Sequence, residues 1–202
     1  MSIARVSTKS TMARTPDPLL ERVVEFMRYS APDPEGLERD IEQMHARLAQ
    51  AIGDNEPLAI VDHAADLGTM LTTARREAEA VQLLRSHAAL AEAHAGHEAS
   101  AWYWNALATA LQYTDHRAEA EHYFAKATGL SRLSGWPRIL AMTLHHWGRN
   151  LVEQGRFAEA EERFSEALAI RIRIDDPRQE RSRQALHVSA ELRRSVAGCA
   201  RS

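Results

Sequence analysis

Residues 145–170 read HHWGRNLVEQGRFAEAEERFSEALAI, and two upstream stretches repeat their pattern at a spacing of 40 residues. These stretches are ADLGTMLTTARREAEAVQLLRSHAAL at 65–90 and NALATALQYTDHRAEAEHYFAKATGL at 105–130. The three align without a gap, and the triplet Ala-Glu-Ala recurs at the same place in each. A fixed period of this kind predicts a stacked array of equivalent structural units.

Each unit predicts two helices joined by a short polar turn. In the third unit Trp147 and Leu151 are spaced i, i+4 on the first helix, and Ala160 and Phe164 are spaced in the same way on the second. A small residue follows the first apolar position of every unit, namely Gly68, Ala108 and Gly148. Because small residues let large ones approach closely, the two helices are expected to interlock.

This pattern resembles the tetratricopeptide repeat. The third unit fits best, and the residues that stand at the family's spacings are Trp147, Gly148, Leu151, Gly155, Phe157, Ala160, Phe164 and Ala167. The first unit fits less well, because His87 replaces a small residue. The usual period is about 34, so longer helices are expected here, as in kinesin-light-chain-like and bacterial regulatory arrays. The resemblance covers about residues 58–175. It implies an all-α, right-handed superhelical solenoid of antiparallel helix hairpins, with the first helix of each repeat on the concave side.

Proline, aspartate and glycine punctuate the chain around this array. Asp17, Asp33 and Asp176 each precede a proline, which is a helix-start signal. Helices are predicted from about Pro18 to Tyr29 and from about Pro34 to Ile52. The predicted layout is a disordered segment at 1–15, an N-terminal helical hairpin at 16–56, repeats at 57–96, 97–136 and 137–176, and a capping helix with a frayed tail at 177–202.

Composition disfavours several classes of protein. With 25 basic and 28 acidic residues the net charge is −3, which argues against a general nucleic-acid binder. No stretch approaches the roughly 20 apolar residues of a membrane helix, and no apolar signal-peptide region follows the N-terminus. A cytoplasmic protein is therefore expected. An arginine-rich patch is interrupted by acids and is interpreted as a solvated capping helix; it comprises Arg171, Arg173, Arg178, Arg181, Arg183, Arg193 and Arg194.

The sequence shows no pattern typical of a catalytic, cofactor or metal site. It lacks a phosphate-binding loop, a GxGxxG turn and a nucleophile elbow, so the chain is predicted not to be an enzyme. The strongest metal candidates are His87, His94 and His97, but no thiolate or fourth ligand lies nearby. His145 and His146 are adjacent, so one is expected to face the groove and the other to point along the stack.

The family resemblance implies a protein- or peptide-binding adaptor that uses its concave groove. Two alternatives remain open: a dedicated inhibitor or immunity-type protein that blocks a toxin or enzyme, and a self-assembly module whose groove is filled by a neighbouring chain. Some relatives grip the C-terminal carboxylate of chaperones with Lys, Asn and Arg residues. The matching positions here hold Ala65, Thr69, Ala106, Met142 and His146. No binding to such tails is expected.

Helical spacing selects the residues that should line the groove. They are Asp62, Ala65, Asp66, Thr69 and Thr73 in the first repeat, Trp102, Asn105, Thr109, Gln112 and Tyr113 in the second, and Met142, His145, Arg149 and Glu153 in the third. The central four are Trp102, Asn105, Tyr113 and Arg149. This lining is neutral-polar with two aromatic anchors, acidic at one end and mixed at the other. It predicts a ligand held by amide hydrogen bonds and an apolar plug rather than by a strong charge match.

Overall fold

The computed structural model describes residues 28–29 and 31–199, with side chains as far as Ala197. Within that part of the chain every regular element is a helix, which confirms the all-α class. The helices are α1 Pro34–Gly53, α2 Pro57–Thr73, α3 Glu77–Ser86, α4 Ala88–Ala93, α5 Glu98–Tyr113, α6 Arg117–Ser134, α7 Pro137–Glu153, α8 Phe157–Arg173 and α9 Gln179–Cys199. The predicted disordered segment and almost all of the predicted Pro18–Tyr29 helix lie outside the described residues.

Proline begins α1, as the sequence predicted, and it also begins α2 and α7, the first helices of the repeats predicted to start at residues 57 and 137. At the start of α1 the Asp33 carboxylate accepts a hydrogen bond from the Gly36 backbone N–H at 2.9 Å. The last helix begins two residues later than predicted, at Gln179 rather than Pro177. The reason is that the Asp176 carboxylate binds the Arg178 backbone N–H at 2.8 Å and holds residues 177–178 in a turn.

The helices pack in chain order as antiparallel hairpins. The pairs α2 with α3, α5 with α6 and α7 with α8 form the three hairpins, and consecutive first helices contact one another. Helix α1 covers α2 at one end, and α9 covers α8 at the other. This arrangement is consistent with a tetratricopeptide-like helical solenoid. No helix among the described residues is both long and apolar enough to cross a membrane.

The predicted interlock between the two helices of a hairpin is present. A Cβ placed on Gly68 would lie 2.6 Å from a methyl carbon of Leu84, and one on Gly148 would lie 2.5 Å from a ring carbon of Phe164. Both Leu84 and Phe164 are fully buried. The glycines therefore let α3 and α8 approach α2 and α7 more closely than any other residue would allow.

A left-handed backbone residue recurs at intervals of 20 residues, half the sequence period. The positions are Asn55, Arg75, Asp115, Gly135, Gly155 and Asp175, with φ between 52° and 72°. At each, the backbone N–H of the next residue bonds a carbonyl in the last turn of the preceding helix; that of Arg156 reaches Leu151 at 2.9 Å. The same turn thus ends all three first helices. The interval is missed once, between Arg75 and Asp115.

That gap coincides with a break in the second helix of the first hairpin. Helix α3 ends at Ser86 and α4 begins at Ala88, so the expectation of one long helix is wrong here. The fully buried Tyr103 hydroxyl donates a hydrogen bond to the Leu84 carbonyl, which a continuous helix would offer to the Ala88 N–H. Burial raises the pKa of Tyr103, so its hydroxyl remains a donor.

Candidate functional site

A cavity of about 260 Å³ lies against α2, α5 and α7, the first helices of the three hairpins. We call it the central cavity. Its lining includes most of the residues predicted for the groove, namely Thr69, Thr73, Trp102, Asn105, Thr109, Tyr113, Met142, His145 and Arg149. The other lining residues are Tyr29, Thr72, Ala106, His146, Arg171, Arg178 and Arg181.

Five of the residues predicted for the groove lie outside this lining. Asp62 is exposed on α2 and Ala65 is buried beside it, while Asp66 accepts a hydrogen bond from the Trp102 indole N–H at 2.8 Å. Partial burial and the neighbouring Asp66 carboxylate raise the pKa of Asp62. The remaining two, Gln112 and the Glu153 side chain, are buried and hydrogen-bonded to each other.

The Glu153 carboxylate is saturated by other side chains. Its own side chain is 1% exposed, and it accepts hydrogen bonds from Gln112 at 2.9 Å, from Arg117 at 3.3 Å and from two nitrogens of Arg28 at 3.1 and 3.2 Å. The Arg28 guanidinium also lies 4.5 Å from the centre of the Tyr113 ring. Glu153 therefore fastens residue 28 to α7 and offers no lone pair to a ligand.

Asn105 is the most exceptional residue of the lining. It is 1% exposed and lies near the middle of α5, yet neither its side-chain nitrogen nor its side-chain oxygen has a hydrogen-bond partner among the described residues. Buried amides in folded proteins are normally paired. The Asn105 carboxamide thus holds an acceptor and a donor group without partners among the described residues, in the wall of the central cavity.

Two aromatic residues beside Asn105 are held in place. The Trp102 indole is fixed by Asp66, and the Tyr113 hydroxyl accepts a hydrogen bond from an Arg149 terminal nitrogen. The Arg149 guanidinium carbon lies 5.5 Å from the centre of the Tyr113 ring, within cation–π range. These rings form preset walls on which a ligand can pack.

Arginines close the end of the cavity nearest α7, α8 and α9. Arg171 comes from α8, Arg178 from the turn before α9 and Arg181 from α9 itself. This part of the lining is thus more basic than the mixed end that the sequence predicted, because the prediction counted residues of the first helices alone. The solvated-surface interpretation is wrong for Arg171, which is 3% exposed.

Hydrogen bonds to uncharged groups fix Arg171. It donates to the Ser182 hydroxyl at 2.7 Å and to the Arg178 carbonyl at 3.1 Å. Arg178 itself pairs with Asp176 at 2.5 Å, and this partner holds the pKa of Asp176 well below its usual range. Burial and the neighbouring Arg178 lower the pKa of Arg171 to about 10, so Arg171 is still charged at pH 7.

Both His145 and His146 line the central cavity. His146 also contacts the Thr109 hydroxyl on α5 at 3.2 Å, and His145 lies 3.4 Å from the Ser182 hydroxyl. Burial, reinforced by the cavity arginines, lowers the pKa of both imidazoles well below the usual value. Both are therefore neutral at pH 7.

The sequence's metal candidates do not form a shared site in the described part of the chain. The rings of His94 and His97 are 6.1 Å apart, and His87 is hydrogen-bonded to the Leu83 carbonyl. No group of three metal-ligating side chains lies together among the residues that the structure describes.

Comparison with known proteins identifies the repeat. A tetratricopeptide-repeat family model matches residues 140–174, which cover nearly all of the α7–α8 hairpin. A search of curated proteins gives no significant match. The likeness to kinesin light chains stays a prediction. The hairpin α7–α8 is thus a tetratricopeptide repeat, and the all-helical array that contains it fits a tetratricopeptide-repeat protein, a class whose repeats mediate protein interactions.

Proposed function

We propose that the chain is a non-catalytic adaptor that binds an extended peptide segment of a partner protein at the central cavity. The observation that carries this proposal is the buried and unpartnered carboxamide of Asn105. A peptide backbone offers an N–H and a C=O on every residue other than proline, which is the pair of groups that an amide side chain can satisfy.

Energetic cost supports a role for Asn105 in binding. Leaving a buried polar group unpaired costs about 1–3 kcal/mol, and an apolar residue at this position would avoid that cost. The amide therefore carries a cost in the free protein that a role in binding would explain. A ligand that pairs with both atoms recovers this free energy, so the cost in the free protein favours the complex.

The size of the cavity favours an extended segment over a whole helix. About 260 Å³ is slightly below the usual range of 300–1,000 Å³ for small-molecule pockets, so it admits one or two side chains. Trp102 and Tyr113 supply rigid surface beside it. The exposed Asp62 at the α2 end favours a peptide with a basic residue on that side.

A random peptide library displayed on phage and selected on the full chain supplies the ligand for a direct test. We expect Asn105→Leu to raise the free energy of unfolding while it weakens binding of the selected peptide at least tenfold, measured by fluorescence anisotropy. Leu133→Ala is the matched control, because Leu133 is 88% exposed on α6 and outside the cavity. A purely structural Asn105 would show the reverse, namely lower stability with unchanged affinity.

Two anchor variants test the site as a whole. Truncating a buried aromatic or arginine anchor costs about 2 kcal/mol or more, roughly thirtyfold in affinity. Trp102→Ala and Arg149→Ala are expected to show losses of that size. If both variants stay folded and bind within twofold of the unmodified chain, the central cavity is not the binding site.

The self-assembly and inhibitor alternatives predict different results. A chain that fills its neighbour's groove elutes as an oligomer in size-exclusion chromatography with light scattering, and Trp102→Ala converts it to a monomer. A dedicated inhibitor needs a folded enzyme or toxin and selects no peptide. Our proposal expects the oligomeric state to be the same in Trp102→Ala as in the unmodified chain. It also expects phage selection to yield a peptide that binds at the central cavity.

A further inference from the structure

Four guanidinium groups of the central cavity surround His145 closely enough to act on its charge. They belong to Arg149, Arg171, Arg178 and Arg181, which we call the arginine pocket. Among the described residues one carboxylate pairs with this group, that of Asp176, and it binds Arg178. The positive charge of the other three is not compensated by any acid within 4 Å in the described part of the chain.

Two of these guanidiniums are buried and incompletely hydrogen-bonded. Arg149 is 6% exposed and Arg171 is 3% exposed, and the Nε–H of each has no partner among the described residues. Burying a cation without a counter-charge is costly. An oxyanion in the cavity would supply both the missing charge and the missing acceptors.

The donors are already oriented. Tyr113 holds Arg149, while Ser182 and the Arg178 carbonyl hold Arg171, so little side-chain freedom remains to be lost on binding. Arginine presents its N–H groups in a planar fork that matches a carboxylate or a phosphoryl group. Arg181 is exposed and has no carboxylate partner, so it can close over a ligand.

We propose that the arginine pocket receives an acidic side chain of the bound peptide, a carboxylate or a phosphoryl group. This inference rests on the proposed peptide-binding function, since it assigns the anion to the peptide. A long polyanion fits less well: the cavity equals the liquid volume of about nine waters at roughly 30 Å³ each. Asp66, which binds the cavity-lining Trp102, also places a carboxylate beside the cavity, and this charge repels a polyanion.

The first arm of the test uses free anions. Succinate and inorganic phosphate are added to the full chain at constant ionic strength set with sodium chloride, and Tm is followed by circular dichroism. We expect Tm to rise by about 2 °C or more at 10 mM anion. The rise should vanish in Arg181→Gln and persist in Arg194→Gln, because Arg194 is equally exposed on α9 but does not line the cavity. An equal rise of Tm in the unmodified chain and in both variants would show that the anions do not bind at the arginine pocket.

The second arm uses the phage-selected peptide, with its acidic residue as Asp, Asn or phosphoserine. In the unmodified chain Asp→Asn is expected to weaken binding at least tenfold. In Arg181→Gln the same change should matter less than twofold, and the comparison of Asp with phosphoserine identifies the preferred anion. A peptide that binds tightly with no dependence on its acid would overturn this inference and leave the proposed function intact.

The remaining outcomes are equally separable. If free anions bind through Arg181 but no peptide can be selected, the proposed function is wrong. The inference that the anion is an acidic side chain of a peptide is then wrong as well. If a 12-nucleotide single strand binds more tightly than the peptide and loses affinity in Arg181→Gln, the peptide assignment is overturned in favour of nucleic acid.

Discussion

Replacing Gly148 with alanine tests the interlock that packs α8 against α7. The new Cβ would lie 2.5, 2.7 and 2.8 Å from three ring carbons of Phe164, which is fully buried and cannot swing into solvent. Forcing an extra carbon into a packed core costs about 1–3 kcal/mol. Alanine recovers up to about 1 kcal/mol because it favours a helix more than glycine does.

The three contacts below 3 Å place the steric cost in the upper part of its range. We therefore expect Gly148→Ala to lower the free energy of unfolding by about 1–2 kcal/mol. For a protein of this size about 1 kcal/mol corresponds to about 2–4 °C, so Tm should fall by about 2–8 °C. Urea unfolding followed by circular dichroism at 222 nm measures the same difference as a free energy.

Gly129→Ala is the matched control. Gly129 lies inside α6, and a Cβ built there meets nothing within 4 Å, so the helix preference of alanine acts alone. That variant should gain about 0.5–1 kcal/mol. If Gly148→Ala is as stable as Gly129→Ala, the close approach is not a requirement of the fold. The double variant Gly148→Ala with Phe164→Leu completes the argument, because a smaller side chain should remove most of the cost of the alanine.

Two further predictions concern pH and the choice of ligand. Burial lowers the pKa of His145 and His146, so the unfolded chain takes up protons first and stability should fall as pH drops below about 6.5, by at most about 1.4 kcal/mol per pH unit for each histidine. His146→Gln should reduce the slope of urea stability between pH 7 and pH 5, and an unchanged slope would exclude His146 as its source. A chaperone C-terminal acidic peptide should show no sub-micromolar binding in calorimetry. The first-helix positions lack the residues that would bind the carboxylates of this peptide, whereas the arginine pocket could bind them. Sub-micromolar binding would therefore contradict the prediction.

The hairpins could be predicted because their cause is local. The pairs Gly68 with Leu84 and Gly148 with Phe164 are 16 residues apart and recur with the period, so the sequence shows both sides of the contact. Residues 20 apart also share the left-handed turn. The sequence did not predict this turn in the first two repeats. The third repeat has Gly155 at the left-handed position, whereas the equivalent positions hold Arg75 and Asp115.

The break in the first hairpin and the Glu153 cluster depend on contacts that no local pattern shows. Tyr103 reaches Leu84 from another hairpin, and Arg28 reaches Glu153 across 125 residues of sequence. Glu153 was predicted as a groove residue from its helical spacing alone. Spacing gives the face of a helix on which a residue lies, but not which distant partner will cover it.

The arginine pocket did leave one sequence signal. In α8 the apolar stripe runs through Ala160, Phe164 and Ala167 at intervals of four and three, and the next position of that stripe is Arg171. An arginine at a position where the helix is otherwise buried indicates a binding site. The number of arginines nearby in the sequence is a weaker indication. Interpreting the arginines as one solvated patch obscured this, because Arg173 and Arg183 are exposed on the same segment.

Arg149 lacks a counter-charge because Glu153, the acidic residue one turn further along α7, is bound by other side chains. Arg149 and Glu153 are four residues apart on one helix, a spacing at which opposite charges commonly pair. Glu153 is instead held by Arg28, Arg117 and Gln112, and Arg149 turns to the Tyr113 hydroxyl. The Glu153 carboxylate is thus occupied by other partners, while the Nε–H of Arg149 has no partner among the described residues. The separation keeps positive charge in the central cavity, where an anionic ligand can reach it.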